Sequence, residues 1–130
     1  MDLPIACVAA MFLLIYAPRL VVMRAQRQEP GGYDNSHPRD QQARLVGEGK
    51  RAQAAHQNSF EAFAPFAAAV LCCEVRHASD RWTTIFALVF LVARLIYPVL
   101  YIKDLATARS LSWVVGYGAT IALFVLALLG

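Results

Sequence analysis

Four apolar blocks decide what this chain can fold into. They run over residues 3–23, 52–75, 82–102 and 111–129. Each is close to the roughly 20 residues that a helix needs to cross a hydrocarbon core about 30 Å thick. Backbone amides and carbonyls find no water in lipid, so such blocks must satisfy themselves as helices. The chain is 58% hydrophobic, above the about 45–50% usual for a soluble domain, and the excess lies in these blocks. The expectation is an all-α integral membrane protein, a single domain over residues 1–130 built as a four-transmembrane-helix bundle. Asp2 stands before the first block and the positive charges come after it, the reverse of a secretory signal. The first block therefore reads as a retained span.

The connections set the topology. Only residues 24–50 form a long one, with the turn-rich run PGGYDNSHPRD followed by QQARLVGEGKRAQAA, which regains helical character. The second helix is free to begin before the membrane does. The link 77–81 is short, so the second and third spans should form an antiparallel hairpin. Arg19, Arg24, Arg27, Arg39, Arg44, Lys50, Arg51, Lys103 and Arg109 fall on one side, and Arg76 and Arg81 on the other. The positive-inside rule makes the first side cytoplasmic. The loop 24–50 is then cytoplasmic and both termini face the opposite way. The basic residues lack aromatic interleaving, so nucleic acid is not an expected partner. Cys7, Cys72 and Cys73 sit in apolar runs without metal-ligand spacing; packing is their expected role and no metal is expected.

Against this apolar background the stretch Arg51–Phe66, RAQAAHQNSFEAFAPF, stands out. It carries Arg51, His56, Asn58 and Glu61 into the opening turns of a span, where ionisable groups are costly and normally face a cavity or a partner. Arg51, Ala54, Asn58, Glu61 and Pro65 recur at steps of three or four and share one helical stripe. His56 does not clearly join that face. An arginine, an amide and a carboxylate on one face suit a small zwitterion such as a peptide. Arg94, Tyr97 and Tyr101 form a second single face on the third span. Arg94 either pairs with Glu61 across the two helices or meets a ligand directly. Arg109 and Ser110 precede the fourth span, where Ser110 is a candidate helix cap and Arg109 makes the helix start electropositive, able to stabilise a thiolate. Trp82 and Trp113 stand at span ends and read as interfacial anchors. Pro98 reads as a kink. In the long loop, Asp34 and Arg39 are either a brace over the site or a solvated pair.

RAQAAHQNSFEAFAPF resembles the signature of the membrane-associated proteins in eicosanoid and glutathione metabolism, the MAPEG superfamily. Its microsomal glutathione transferases carry an Arg-Ala-His-x-Asn-x-x-Glu pattern followed by Pro-Phe. Ala55, His56, Asn58, Glu61, Pro65 and Phe66 match, and Arg51 matches an upstream arginine. The spacing of Arg94, Tyr97 and Tyr101 resembles the family's third helix, and Arg109-Ser110 the pair opening its fourth. The segment YDNSHPR resembles bacterial members. One departure is Ala54, where many members have arginine two residues before the signature histidine.

The resemblance implies a homotrimer in a bacterial inner membrane, with glutathione as co-substrate between protomers at the cytoplasmic end. It implies Arg51, Asn58, Glu61, Arg94, Tyr97, Tyr101 and Ser110 as glutathione-binding residues, with His56 as a further candidate. Arg109 becomes the catalytic residue that lowers the thiol's pKa. The expected activity is glutathione-dependent transferase or peroxidase chemistry on apolar electrophiles or lipid hydroperoxides drawn from membrane lipid. The alternative is a non-catalytic membrane module that binds a small thiol or lipid, or regulates a partner protein; Ala54 speaks for it. A channel fits less well, because the polar residues gather at one end.

Overall fold

The computed structural model describes residues 2–130, and among these the chain forms six helices and no strand. They are α1 (Leu3–Leu14), α2 (Ala17–Gln28), α3 (Pro38–Arg44), α4 (Gly47–Val75), α5 (Asp80–Ile102) and α6 (Ala106–Leu129). Four stretches are long and apolar enough to span a membrane: Leu3–Gln28, made of α1 and α2 together, and then α4, α5 and α6. The helices overrun the apolar blocks at the polar end. α2 continues to Gln28, α4 starts at Gly47 and α6 at Ala106. The overrunning segments are polar yet rich in good helix formers such as Ala, Arg, Glu and Lys. Hydropathy marks where lipid begins, whereas propensity and capping decide where a helix ends.

The first span is broken at Ile15–Tyr16. Pro18 has no amide hydrogen to give the preceding turn, and the Arg19 amide bonds the Tyr16 carbonyl. The two tight reversals share another device. His77 and Asp104 adopt the left-handed region, at φ 53° and 60°. Beyond them Ala78 donates to the Cys73 carbonyl and Leu105 to the Leu100 carbonyl, the six-to-one bond of a Schellman ending. Arg51 of α4 and Arg76, the residue that caps its far end, complete the neighbouring helix ends. Arg51 Nε donates to the Ile102 carbonyl at 2.8 Å, and Arg76 Nε to the Ala127 carbonyl at 3.4 Å. Pro65 and Pro98 lie inside α4 and α5 without ending either helix.

The helices approach closely because small residues line the contacts. Ala52, Ala55, Ser59, Ala69, Ala87, Ala93, Ala119 and Ala127 are all buried, the usual solution where lipid removes any hydrophobic drive for association. Between them Phe66 of α4 stacks on Phe90 of α5, 3.8 Å between ring centroids and 8° from parallel. Cys7 and Cys73 are buried as expected, but Cys72 faces outward. Leu88, Val92, Val99 and Leu128 are likewise exposed, so the helices are apolar on both their inner and outer sides, as buried-in-lipid helices must be.

The long loop is mostly ordered by amides. Gln41 of α3 is buried and donates to the Gln26 and Gly32 carbonyls at 3.2 and 2.8 Å. Its oxygen accepts from Gln26 Nε2 and from the Asp34 amide, both at 3.1 Å. Gly31 and Gly32, at φ 84° and 74°, make the turn that brings the chain back to this lock. Asp34 pairs with His37, 3.6 Å away, rather than bracing against Arg39. Its carboxylate accepts from the backbone amides of His37 and Ser36. These amides, the His37 one foremost, hold its carboxyl below the usual range.

Two outcomes test this packing. A Cβ added at Gly49 would stand 2.6 Å from the Ala25 Cβ, so Gly49→Ala must push α2 and α4 apart, costing about 1–3 kcal/mol; a lowered thermal midpoint in detergent reads it. Gln41→Leu strands the partners of a buried amide, which costs about 1–3 kcal/mol, and should expose residues 29–37 to protease while the spans stay intact.

Candidate functional site

The polar end of the bundle gathers the starts of α4 and α6 and the end of α5. Arg94 lies between them, 2% exposed. A buried guanidinium needs acceptors, and α4 supplies two. Arg94 donates through one terminal nitrogen to Asn58 Oδ1 at 3.0 Å and to Ser59 Oγ at 3.4 Å. Asn58 in turn donates from Nδ2 to Glu61 at 3.2 Å. The direct Glu61–Arg94 pair anticipated from the sequence does not form. Glu61 sits on the exposed edge of α4 while Arg94 is interior, and the amide of Asn58 spans the difference. Ser59 lies off the polar stripe, so spacing does not single it out, yet it hydrogen-bonds both Arg94 and the Ala55 carbonyl.

From Arg94 the chain of contacts runs on toward the end of α5. Its guanidinium carbon lies 4.2 Å from the centroid of the Tyr97 ring. Tyr97 meets Tyr101 edge to face at 5.7 Å. Arg109, on the first turns of α6, lies over Tyr101 at 4.5 Å. Cation–π contacts of this kind hold a guanidinium in place without neutralising it. Arg109 has no carboxylate partner among the described residues. Glu61, Asn58, Arg94, Tyr97, Tyr101 and Arg109 therefore form one continuous relay across three helices. Arg51 shares the α4 stripe but lies two turns away from Asn58, and its side chain is engaged at the end of α5.

Beside Arg94 a cavity of about 160 Å³ opens between α4, α5 and α6. Asn58, Glu61 and Arg94 give it polar groups; Ala62, Pro65, Phe90 and Gly116 give it apolar ones. Trp113 and Tyr117 of α6 line it too. Trp113 is thus a cavity residue as well as a residue near a span end, because α6 begins at Ala106 and carries it past the second turn. The same early start overturns the helix-cap role of Ser110. The cap position is Leu105, and Ser110 is an exposed residue within the helix, outside the relay. Nothing in the sequence between the Asp104 turn and Ser110 stops a helix from starting at once.

His56 belongs to the other side of α4. Its Nδ1 lies 2.7 Å from the Ile15 carbonyl, which the break in the first span leaves without its helical donor. Nδ1 must carry the proton to serve a carbonyl. There a second cavity, about 500 Å³, is lined by Arg19, Tyr33, Arg39, Gln53, His56 and Phe60, among others. Its two arginines make it cationic. Among the described residues no cluster of three histidine, cysteine or acidic side chains is placed to hold a metal ion.

The arrangement can do two things chemically. It presents acceptors and donors in alternation along one wall, which suits a zwitterionic ligand, and it ends in a guanidinium free to face an anion. A search of the curated proteins and of the solved structures found no match. The sequence model of the MAPEG family matches residues 3–129, nearly all of the 130, and the protein with this buried arginine relay belongs to the MAPEG family.

Proposed function

We propose that the protein is a membrane-bound, glutathione-dependent transferase or peroxidase acting on apolar electrophiles or lipid hydroperoxides. The observation that carries this reading is the relay from Glu61 to Arg109, which ends in a guanidinium without a carboxylate partner. Glutathione carries two carboxylates, an ammonium and a thiol. Glu61 serves the ammonium, Asn58 and the tyrosines serve amides and carboxylates, and Arg109 serves the sulfur. The first turn of α6 adds its unpaired amides to the same electropositive end. A cationic neighbour raises the thiolate population near neutral pH, and the thiolate is the nucleophile. On an electrophilic carbon its sulfur forms the new bond and the leaving group departs with the bonding pair. On a hydroperoxide, two glutathiones are oxidised to the disulfide while the hydroperoxide is reduced to an alcohol and water.

The same reading includes a homotrimer, a bacterial inner membrane and a site at the cytoplasmic face. Glu61 is an exposed carboxylate on a span, and such a group is expected to find a partner. The cationic cavity with Arg19, Arg39 and His56 is the complementary cover that a neighbouring copy can bring. Arg51 and Ser110 are then rim residues rather than members of the relay. The one observation that favours a non-catalytic, ligand-binding module instead is Ala54, which brings no cation to the stripe.

Thiolate absorbance on titrating glutathione into detergent-solubilised protein tests the reading directly. A saturable signal and conjugation of a general electrophile are expected, and the lack of both would falsify it. Arg109→Ala should cut the thiolate signal at neutral pH at least about ten-fold, the effect of one pKa unit, while glutathione affinity changes less; equal losses would remove Arg109 from its assigned role. Glu61→Gln should weaken glutathione binding or trimer assembly with Arg109 intact, read by calorimetry and by mass in detergent.

A further inference from the structure

Small side chains form the seam between α5 and α6. A Cβ placed on Gly116 would meet the Ala93 Cβ at 3.7 Å and Phe90 at 3.9 Å. Such a seam lets two helices approach closely, yet nothing apolar in it marks how far along each other they stand. Among the described residues, one side-chain hydrogen bond joins the two helices. Ser112, at the end of the second turn of α6, donates from Oγ to the Ala93 carbonyl at 2.7 Å. The acceptor follows from Pro98. A carbonyl inside a helix is met by the amide four residues on. Pro98 has no amide hydrogen for the Arg94 carbonyl, and its ring crowds that carbonyl. Proline loosens the ladder at that point, and the neighbouring Ala93 carbonyl oxygen has a second lone pair to offer.

What this bond fixes lies one turn earlier on α6. Arg109 precedes Ser112 by three residues and is its neighbour on the helix surface. Ser110 lies between them in sequence and is exposed. Arg109 has no carboxylate partner among the described residues, so the Tyr101 ring is what holds its guanidinium. That contact measures 4.5 Å to the ring centroid, and cation–π attraction needs the charge within about 6 Å. Packed helices shift by about 1–2 Å when they move. A slide of α6 by that amount carries the charge to the edge of the attractive range, so the register of the seam decides where the guanidinium stands.

We propose that Ser112 is the positioning residue for Arg109: its bond to the carbonyl beside the Pro98-loosened turn sets where α6 stands along α5 and so holds the guanidinium over Tyr101. Ser112 acts through Arg109 and takes no bond-making step of its own. The placement of Arg109 stands by itself; its consequence for a sulfur rests on the transferase reading. Under that reading, a guanidinium displaced from its place stabilises the thiolate less, and Ser112 tunes the fraction of bound glutathione that is ionised near neutral pH.

Side-chain NMR of arginine-labelled protein in nanodiscs reads the placement directly. A proton over an aromatic face resonates upfield, so the Arg109 Nε–H signal, identified by its loss in Arg109→Lys, reports the Tyr101 ring. Tyr101→Leu supplies the value without the ring. Ser112→Ala should move the signal toward that value, and Ser112→Thr, which keeps the hydroxyl, should restore it. The Nε–H of Arg51, bonded to the Ile102 carbonyl, marks an intact bundle in every variant. Where Ser112→Ala loses that marker, Ser112→Cys, close in size and a weak donor, carries the same expectation. An unmoved Arg109 signal with a lowered thermal midpoint makes Ser112 a packing residue only and overturns the proposal. In the same samples Ser112→Ala should cut the glutathione thiolate signal at neutral pH roughly two- to ten-fold, where ten-fold is one pKa unit, again with rescue by threonine. Absence of any thiolate in the unsubstituted protein removes the transferase reading and leaves the placement to the NMR signal. Thiolate at full strength in Ser112→Ala, with an unmoved Arg109, does the reverse.

Discussion

A guanidinium placed among apolar helices sets the terms for everything around it. Arg94 is almost wholly buried, and no carboxylate among the described residues pairs with it. Removing such a charge from water is expensive, and a lone partner rarely compensates. The bundle answers with distributed polarity: the amide of Asn58 and the hydroxyl of Ser59 from one turn of α4, and the aromatic face of Tyr97 from α5 itself. That answer constrains its neighbours. Ser59 has to be small and polar at a close helix contact, Asn58 has to present its oxygen inward and its nitrogen outward, and Tyr97 has to lie flat beneath the charge. Nε of Arg94 is still without a partner, and it belongs to a residue that lines the cavity. A ligand acceptor or a water there would complete the set.

Much of this was legible in the residues, and what was not has definite physical causes. Block length alone yields four spans, since lipid forces helices and fixes their minimum length. Spacing alone groups Asn58 with Glu61, and Arg94 with Tyr97 and Tyr101, because one helix face is a property of one helix. What spacing cannot supply is how far along the bundle each face meets its neighbour. Arg51 lies on the Asn58 face, yet seven residues of helix displace it by about 10 Å along the axis, and it meets the end of α5. Ser110 failed as a cap because hydropathy placed the helix start where lipid begins. Gln26 and Gln41 were invisible for another reason: a buried glutamine in a polar loop looks like any solvated one until its partners are known.

The two ends of the molecule are finished alike. Each tight reversal turns on a residue in the left-handed region, and each following helix end receives an arginine from α4 or its C-cap. Since α4 runs the full height of the bundle, it carries a cation to both membrane surfaces and the relay between them. This one helix thereby ties the termination of α5 and α6 to the position of the site, and a change in its tilt would be felt at both ends.

The lock between Gln26 and Gln41 is made wholly of uncharged amides. Ion pairs weaken as salt rises, and at a membrane surface the local ionic atmosphere varies with lipid headgroup and nearby counterions. Neutral hydrogen bonds sheltered from solvent do not follow those changes. The segment carrying Tyr33, Pro38 and Arg39 therefore keeps its place beside α4 whatever the surface charge of the bilayer, and the loop's geometry is insulated from the composition of the membrane in which it sits.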